Sequence, residues 1–294
     1  MSLEASDKSV WRPLGRVDLL QLNEARLLAH HAVQWLARAA RAYVPPEPDD
    51  GHTSLQWQDR LNGFLTHPFG DGGRLGLCIS SLTLGLQGGD NPTEVQSLSL
   101  NGRSDAQARQ WLGEQLGRRG FDPKALDAPS PYEIPPHAIA QGASYDAAGS
   151  AAALTELAAW YANADVLLDR VRMNMVGQKL AAMPLCCWPH HFDLATLTML
   201  PTKDPDTAGY IGVGFSPGDE YYDEPYFYVS VYPEPDPVAL PTLPEMGHWH
   251  THEFTAGVKL AHTILASKNM AAETDNFLQR AVGLALRIVS EASR

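Results

Sequence analysis

The sequence predicts an α+β fold in two similar halves, each an antiparallel sheet of about four strands flanked by helices, the halves related by a pseudo-twofold. Three observations carry this expectation. Two long stretches have apolar residues at helical spacing, each is followed by short β-like runs separated by Gly, Asp, Asn and Pro, and the second set repeats the order of the first. Trp57 and Trp188, Gly76 and Gly212, and Ser99 and Ser230 fall at matching places with a nearly constant offset, which points to duplication.

In chain order, "VDLLQLNEARLLAHHAVQWLARAARAY" from Val17 to Tyr43 sets Leu20, Leu27, Leu28, Val33, Leu36 and Ala40 on one stripe and ends at "VPPEP". The runs "TSLQWQ", "NGFLTHPF", "RLGLCISSLTLGL" and "VQSLSLN" read as strands. Ser104 and Asp105 open a helix that stops at Gly120. A Pro-rich connector over 121–150 separates this first half-repeat, 17–120, from a second, 151–292. The second begins with the helix "AAALTELAAWYANADVLLDRVRMNM" and continues through "LCCWP", "HFDLATLTML", "YIGVGF" and "PYFYVSVY". The whole chain, 1–294, is expected to form one compact domain.

With 294 residues the chain can bury a sizeable core without cross-links. Its 34 acidic and 22 basic side chains give a net charge of -12, which opposes binding to a phosphate backbone, so nucleic acid is not an expected partner. Three cysteines, Cys78, Cys186 and Cys187, do not make a disulfide framework and suit a reducing compartment. The N-terminus lacks the basic start and apolar run of a secretory signal, and no stretch approaches the ~20 apolar residues that span a bilayer. The expectation is a soluble cytoplasmic protein without a membrane partner, its oligomeric state left open.

Several motifs resemble a bacterial family catalogued as a domain of unknown function. They are Phe192-Asp193-Leu194-Ala195, Gly214-Phe215 with Pro217-Gly218, and Glu224-Pro225 leading to Tyr232-Pro233-Glu234-Pro235, joined by "RAARAYVPPEPDDGHTSLQWQDRLNGFLTHPF" near the start. The likeness covers nearly the whole chain and implies a shared architecture without an activity. This chain departs from the family pattern at His52 and Thr53, where members often carry two adjacent tryptophans and a histidine, and in its full histidine triplet.

Among chemical motifs, Gly214-Phe215-Ser216-Pro217-Gly218 matches G-x-S-x-G, but Pro217 has no N–H for an oxyanion hole and no helix follows. Ser216 is therefore expected to end a strand in a turn. A dinucleotide fingerprint fails at Pro217, and neither a phosphate-binding P-loop nor H-E-x-x-H is present. Alternation in "PYFYVSVY" sends Tyr226, Tyr228, Ser230 and Tyr232 to one face and Phe227, Val229 and Val231 to the core. In the neighbouring run, Ile211, Val213 and Phe215 face the core while Gly212 and Gly214 leave room beside the phenols, for a packed helix or a ligand. The run "GDEYYDEP" sets Asp219, Glu220, Asp223 and Glu224 at the rim, favouring a cation or a metal if that face is a pocket.

His190 and His191, read as part of a strand, point to opposite faces. "GHWHTHEF" places His248, His250 and His252 at every second position, a spacing that in an extended strand offers three imidazoles to one divalent metal. Against this, "THEFTAGVKLAHTILAS" has the pattern of a helix with Thr251 as N-cap, Glu253 in its first turn and Phe254, Val258, Leu260, Ala261 and Leu265 on its apolar stripe. That helix turns His252 away from His248 and His250. Cys186 and Cys187 lie in an apolar run that suits buried, unreactive thiols, with a nucleophilic cysteine using His190 as base as the other reading.

The reading these residues support first is a small-molecule-binding protein whose second half forms a pocket from Trp188, His190, Tyr226, Tyr228, His248 and His250. Two others stand beside it. One is a metal-dependent hydrolase with a divalent ion on His248, His250 and His252 and Glu253 or Glu220 as general base; the other is a structural or protein-interaction role without catalysis.

Overall fold

The computed structural model describes residues 11–88, 91–200 and 209–292; the N-terminal segment read for a secretory start lies mostly outside the described residues. Helix and antiparallel strand mix along the chain, as the α+β expectation requires. The elements are α1 (Leu19–Tyr43), β1 (Gln56–Gln58), β2 (Gly63–Leu65), β3 (Arg74–Cys78), β4 (Thr83–Gly88), β5 (Asn91–Ser99) and α2 (Asp105–Arg118). They continue as α3 (Ala151–Gly177), β6 (Ala181–Ala182), β7 (Cys186–Trp188), β8 (Asp193–Met199), β9 (Tyr210–Ser216) and β10 (Tyr226–Tyr232), then β11 (His248–His250), β12 (Ala256–Leu260), α4 (Ala261–Leu265) and α5 (Met270–Ala292).

The helix ends follow local chemistry. Asp18 caps α1 by accepting the Gln21 N–H at 2.8 Å. Ser104 and Gln107 close a reciprocal capping box on α2. The Glu156 carboxylate, buried in α3, accepts the backbone N–H groups of Gly15, Arg16 and Val17 at 2.7, 2.7 and 3.1 Å and so anchors the chain entering α1.

The chain divides into two compact units. The first comprises Gly15–Ala159 and Cys186–Asp193, so the "CCWPHHFD" segment, placed by sequence order in the second half-repeat, clusters with the first. Its sheet is a meander in the order β1-β2-β3-β4-β5. Phe64, Leu75, Leu77, Leu84 and Leu86 are buried in it, and α1 packs on β3 with Leu28, Val33 and Leu36 buried. Leu55 and Cys187 exchange both backbone hydrogen bonds at 2.8 Å, which fixes the second segment to the first.

Of the described residues, the second unit holds 11–14, 160–185, 194–200 and 209–292. Its sheet runs β11-β12-β10-β9-β8-β6, all neighbours antiparallel. One face is core. Ile211, Val213, Phe215, Phe227 and Val229 are buried there, Phe215 meets Trp160, Tyr161 and Phe227 with ring centroids 6.0, 5.2 and 5.2 Å apart, and α5 packs on β9, β10 and β12. Each such side chain contributes ~1.5–3 kcal/mol by leaving water.

Two sequence readings need correction here. The segment from Thr251 is not a helix: it turns at His252 and Glu253, then forms β12, whose residues pair with β11 in the register His248↔Val258, Trp249↔Gly257 and His250↔Ala256. Only Ala261–Leu265 is helical. Pairing on both edges of β12, with β11 and with β10, outweighs a helical pattern whose Thr and Glu merely resemble a cap. His190 and His191 lie in a turn instead of a strand, so their rings do not diverge; the centroids are 4.2 Å apart.

Candidate functional site

The face of the second unit's sheet opposite α5 carries the tyrosines that alternation assigned to it. On β10, Tyr226 is buried and Tyr228 half-buried, and Tyr226, Ala256 and Val258 form a small apolar cluster against which Tyr222, Tyr228 and Phe254 pack. The room beside Gly212 and Gly214 is taken by side chains of the next strand. A Cβ on Gly214 would run into the Tyr228 ring, and one on Gly212 into the Ser230 hydroxyl. What approaches these glycines closely is thus neither of the two partners expected from sequence, a helix or a ligand, but β10 itself.

The turn between β9 and β10 builds the polar part of the site. Ser216 accepts the Gly218 N–H at 3.2 Å and is buried, a strand-ending role and not that of an exposed nucleophile. Asp219 Oδ1 accepts the N–H groups of Tyr221 and Tyr222 at 2.9 and 3.1 Å, while its Oδ2 accepts the Tyr226 hydroxyl. This Asx turn places Tyr222 over β11. There its hydroxyl lies 2.9 Å from His248 Nε2 and 3.0 Å from His250 Nδ1. Tyr221 donates to Glu253, a bond that pushes its own pKa up to about 12, and its ring stands edge-on to His250 at 5.0 Å. Phe254 stacks on His250 at 4.4 Å.

The hydrogen bonds fix where the protons are. His250 Nε2 is 2.7 Å from the His252 carbonyl, which can only accept, so the proton of neutral His250 is on Nε2. Nδ1 of His250 then accepts the Tyr222 O–H, and the Tyr222 oxygen accepts an N–H from His248 Nε2. His248 is left with a bare lone pair on Nδ1, for which there is no partner among the described residues. Desolvation, with the nearby His250 and His262, lowers the His248 pKa and keeps it neutral near pH 7. Desolvation, with Asp219 beside it, raises that of Tyr222.

The histidine triplet does not converge as a metal site. The His250 Nε2 that would ligate is committed to the His252 carbonyl, and the His252 side chain projects into solvent beside Glu253, 3.9 Å away. Among the described residues no group of three or more His, Cys, Asp or Glu side chains is disposed to hold a metal ion.

Behind β11, Lys259 is almost fully covered, and its ammonium donates to the Glu245 carbonyl. Glu245 and Met246 both have left-handed backbone, φ 52 and 59, and the adjoining Gly247 lies against the Phe277 ring. The lysine therefore holds the strained turn that delivers His248 and His250. Burial lowers its pKa, while Glu273 and Glu245 oppose that shift.

Trp188 and His190 belong to the first unit, where His190 sits among Tyr132, Trp188 and His191 with centroids 5.5, 6.1 and 4.2 Å away. Burial and His191 lower the His190 pKa to about 4. Burial raises that of Cys186 to about 11, so its thiol stays protonated near neutral pH; Ser54, which bonds Cys186, lies 3.2 Å from His67 Nε2. Cys187 is fully buried and its pKa is also raised by burial. Sequence reasoning missed Tyr222 and Lys259. The doubled tyrosine inside "DEYYDEP" was the available signal for the first, and an isolated lysine inside an apolar strand for the second.

A family profile described as a family of unknown function (DUF5996) matches residues 15–285, in agreement with the motifs noted in the sequence. No curated protein and no solved structure matches the chain. Among the described residues no helix is long and apolar enough to cross a membrane.

Proposed function

We propose, for a chain that belongs to the family of unknown function DUF5996, a role in binding a small molecule on the tyrosine and histidine face of the second unit, around Tyr222, Tyr226, His248 and His250. The observation that carries it is the Tyr222 hydroxyl held between two imidazoles while the outer one, His248, stays exposed. A polar chain whose internal hydrogen bonds are satisfied, bordered by aromatic rings and with one acceptor at its outer end, is an arrangement that orients a ligand. Three free cysteines support a reducing, cytoplasmic setting. An origin by duplication, which the near-constant offset of Trp57 and Trp188, Gly76 and Gly212, and Ser99 and Ser230 supports, is part of the same proposal.

The test is a fragment library screened against the full chain by the histidine ring signals in NMR. Compounds that shift His248 and His250 together, and lose that effect in Tyr222→Phe, are the expected result. A library in which no compound moves these signals contradicts the proposal.

A further inference from the structure

The directional chain at this site also selects what it can bind, an inference that rests on the binding role just proposed. Because the His252 carbonyl forces the proton of His250 onto Nε2, the polarity of the Tyr222 bridge follows, and His248 presents an acceptor at Nδ1. An acceptor in that place is satisfied by a ligand N–H or O–H and repelled by a carboxylate or carbonyl oxygen. The surroundings discriminate further. Tyr222 offers its ring beside His248, with centroids 5.7 Å apart, and Tyr226 stands edge-on to Tyr222 at 5.0 Å. The segments 218–232 and 246–258, which form this face, contain no lysine or arginine, whereas Asp219, Glu220, Asp223, Glu224 and Glu253 all lie in them.

From the chain of donors, we infer that the ligand is an organic ammonium with at least one N–H, which donates to His248 Nδ1 while its charge lies against the Tyr222 ring. Two of the carboxylates already accept tyrosine hydroxyls, and Glu224 holds the backbone N–H and Nδ1 of His262, both at 2.7 Å. They supply field more than contacts, and the specific contact is the one at His248.

Three probes separate the contributions: phenethylammonium, its N,N,N-trimethyl analogue, which keeps the charge and ring but has no N–H, and 3-phenylpropionate, which reverses the charge. Each is titrated into the full chain and followed by the His248 and His250 ring signals. The expected result is binding of phenethylammonium about tenfold or more tighter than its trimethyl analogue, the worth of one charge-assisted hydrogen bond, and no binding of the carboxylate. His248→Phe removes the acceptor from an exposed edge position and is expected to abolish the difference between the two cations. Equal affinity for the two cations, or tighter binding of the carboxylate, overturns the ammonium assignment while leaving the small-molecule reading intact. If neither these probes nor the fragment library reach the face, both readings fall together.

Discussion

His250 gives its Nε2–H to a backbone carbonyl, and from that bond the orientation of two more side chains follows. None of this is visible in the period-2 histidines as sequence, because the spacing places His248 and His250 on one side of a strand without saying what stands between them. Tyr222 does, and it comes from 26 and 28 residues away through a turn set by Asp219. A second residue gives a prediction outside the site. His30, on α1, donates from Nε2 to the Pro189 carbonyl at 3.0 Å and stacks on Phe192, while its Nδ1 is buried without a partner among the described residues. Burial lowers its pKa from 6.5 to about 3. The unfolded chain therefore takes up this proton first as pH falls. Its contribution to stability is complete above pH 6.5 and is lost progressively down to about pH 3, at up to about 1.4 kcal/mol per pH unit. The midpoint of thermal unfolding, measured from pH 7.5 to 4, should fall less steeply in His30→Gln than in the natural chain. Parallel curves would show that another group carries the acid sensitivity.

At the scale of elements, the helices and most strands were legible because their patterns repeat over enough residues to exclude other readings. Leu28, Val33, Leu36 and Ala40 of the expected stripe are buried along α1, though Leu20 at its start is exposed, and burial alternates along β10 from Phe227 to Tyr232. The segment after Thr251 misled because Phe254, Val258, Ala261 and Leu265 fit a helical stripe equally well, and only long-range pairing to Tyr226–Ser230 on one side and His248–His250 on the other decides for a strand. Lys259 lies at the centre of that decision. It points away from the tyrosine face and ties β12 to the left-handed turn at Glu245 and Met246. Replacing it with methionine removes a buried charge and one hydrogen bond, effects that oppose each other in global stability. Locally they do not. Backbone amides from Gly247 to His250 should exchange with solvent about tenfold or more faster in Lys259→Met, matching the loss of a hydrogen bond from a charged donor, while the melting temperature moves little. Unchanged exchange there would mean that the turn stands without the lysine.

For the whole molecule, composition excludes more than it identifies. A net charge of -12 repels phosphate and carboxylate ligands at long range and favours cations, a preference shared by the acidic turn beside Tyr222. The division of the chain into two units was only partly legible, since "CCWPHHFD" joins the first unit through the pairing of Leu55 with Cys187, a contact between segments far apart in sequence. The same contact puts Trp188 and His190 in the first unit, whereas the β10 tyrosines belong to the second. The family profile spans residues 15–285, so most of both units lies within the family. What distinguishes this face chemically is the proton order along His248, Tyr222 and His250, and it can be observed directly. Long-range nitrogen–proton correlation spectra of the ¹⁵N-labelled full chain near pH 7.5 report which ring nitrogen of each histidine carries its proton. Nε2–H is expected for both His248 and His250, with Nδ1 of His248 unprotonated, and loss of the fixed state of His248 in Tyr222→Phe. A proton on Nδ1 of His248, or a tautomer indifferent to Tyr222, would contradict that proton order.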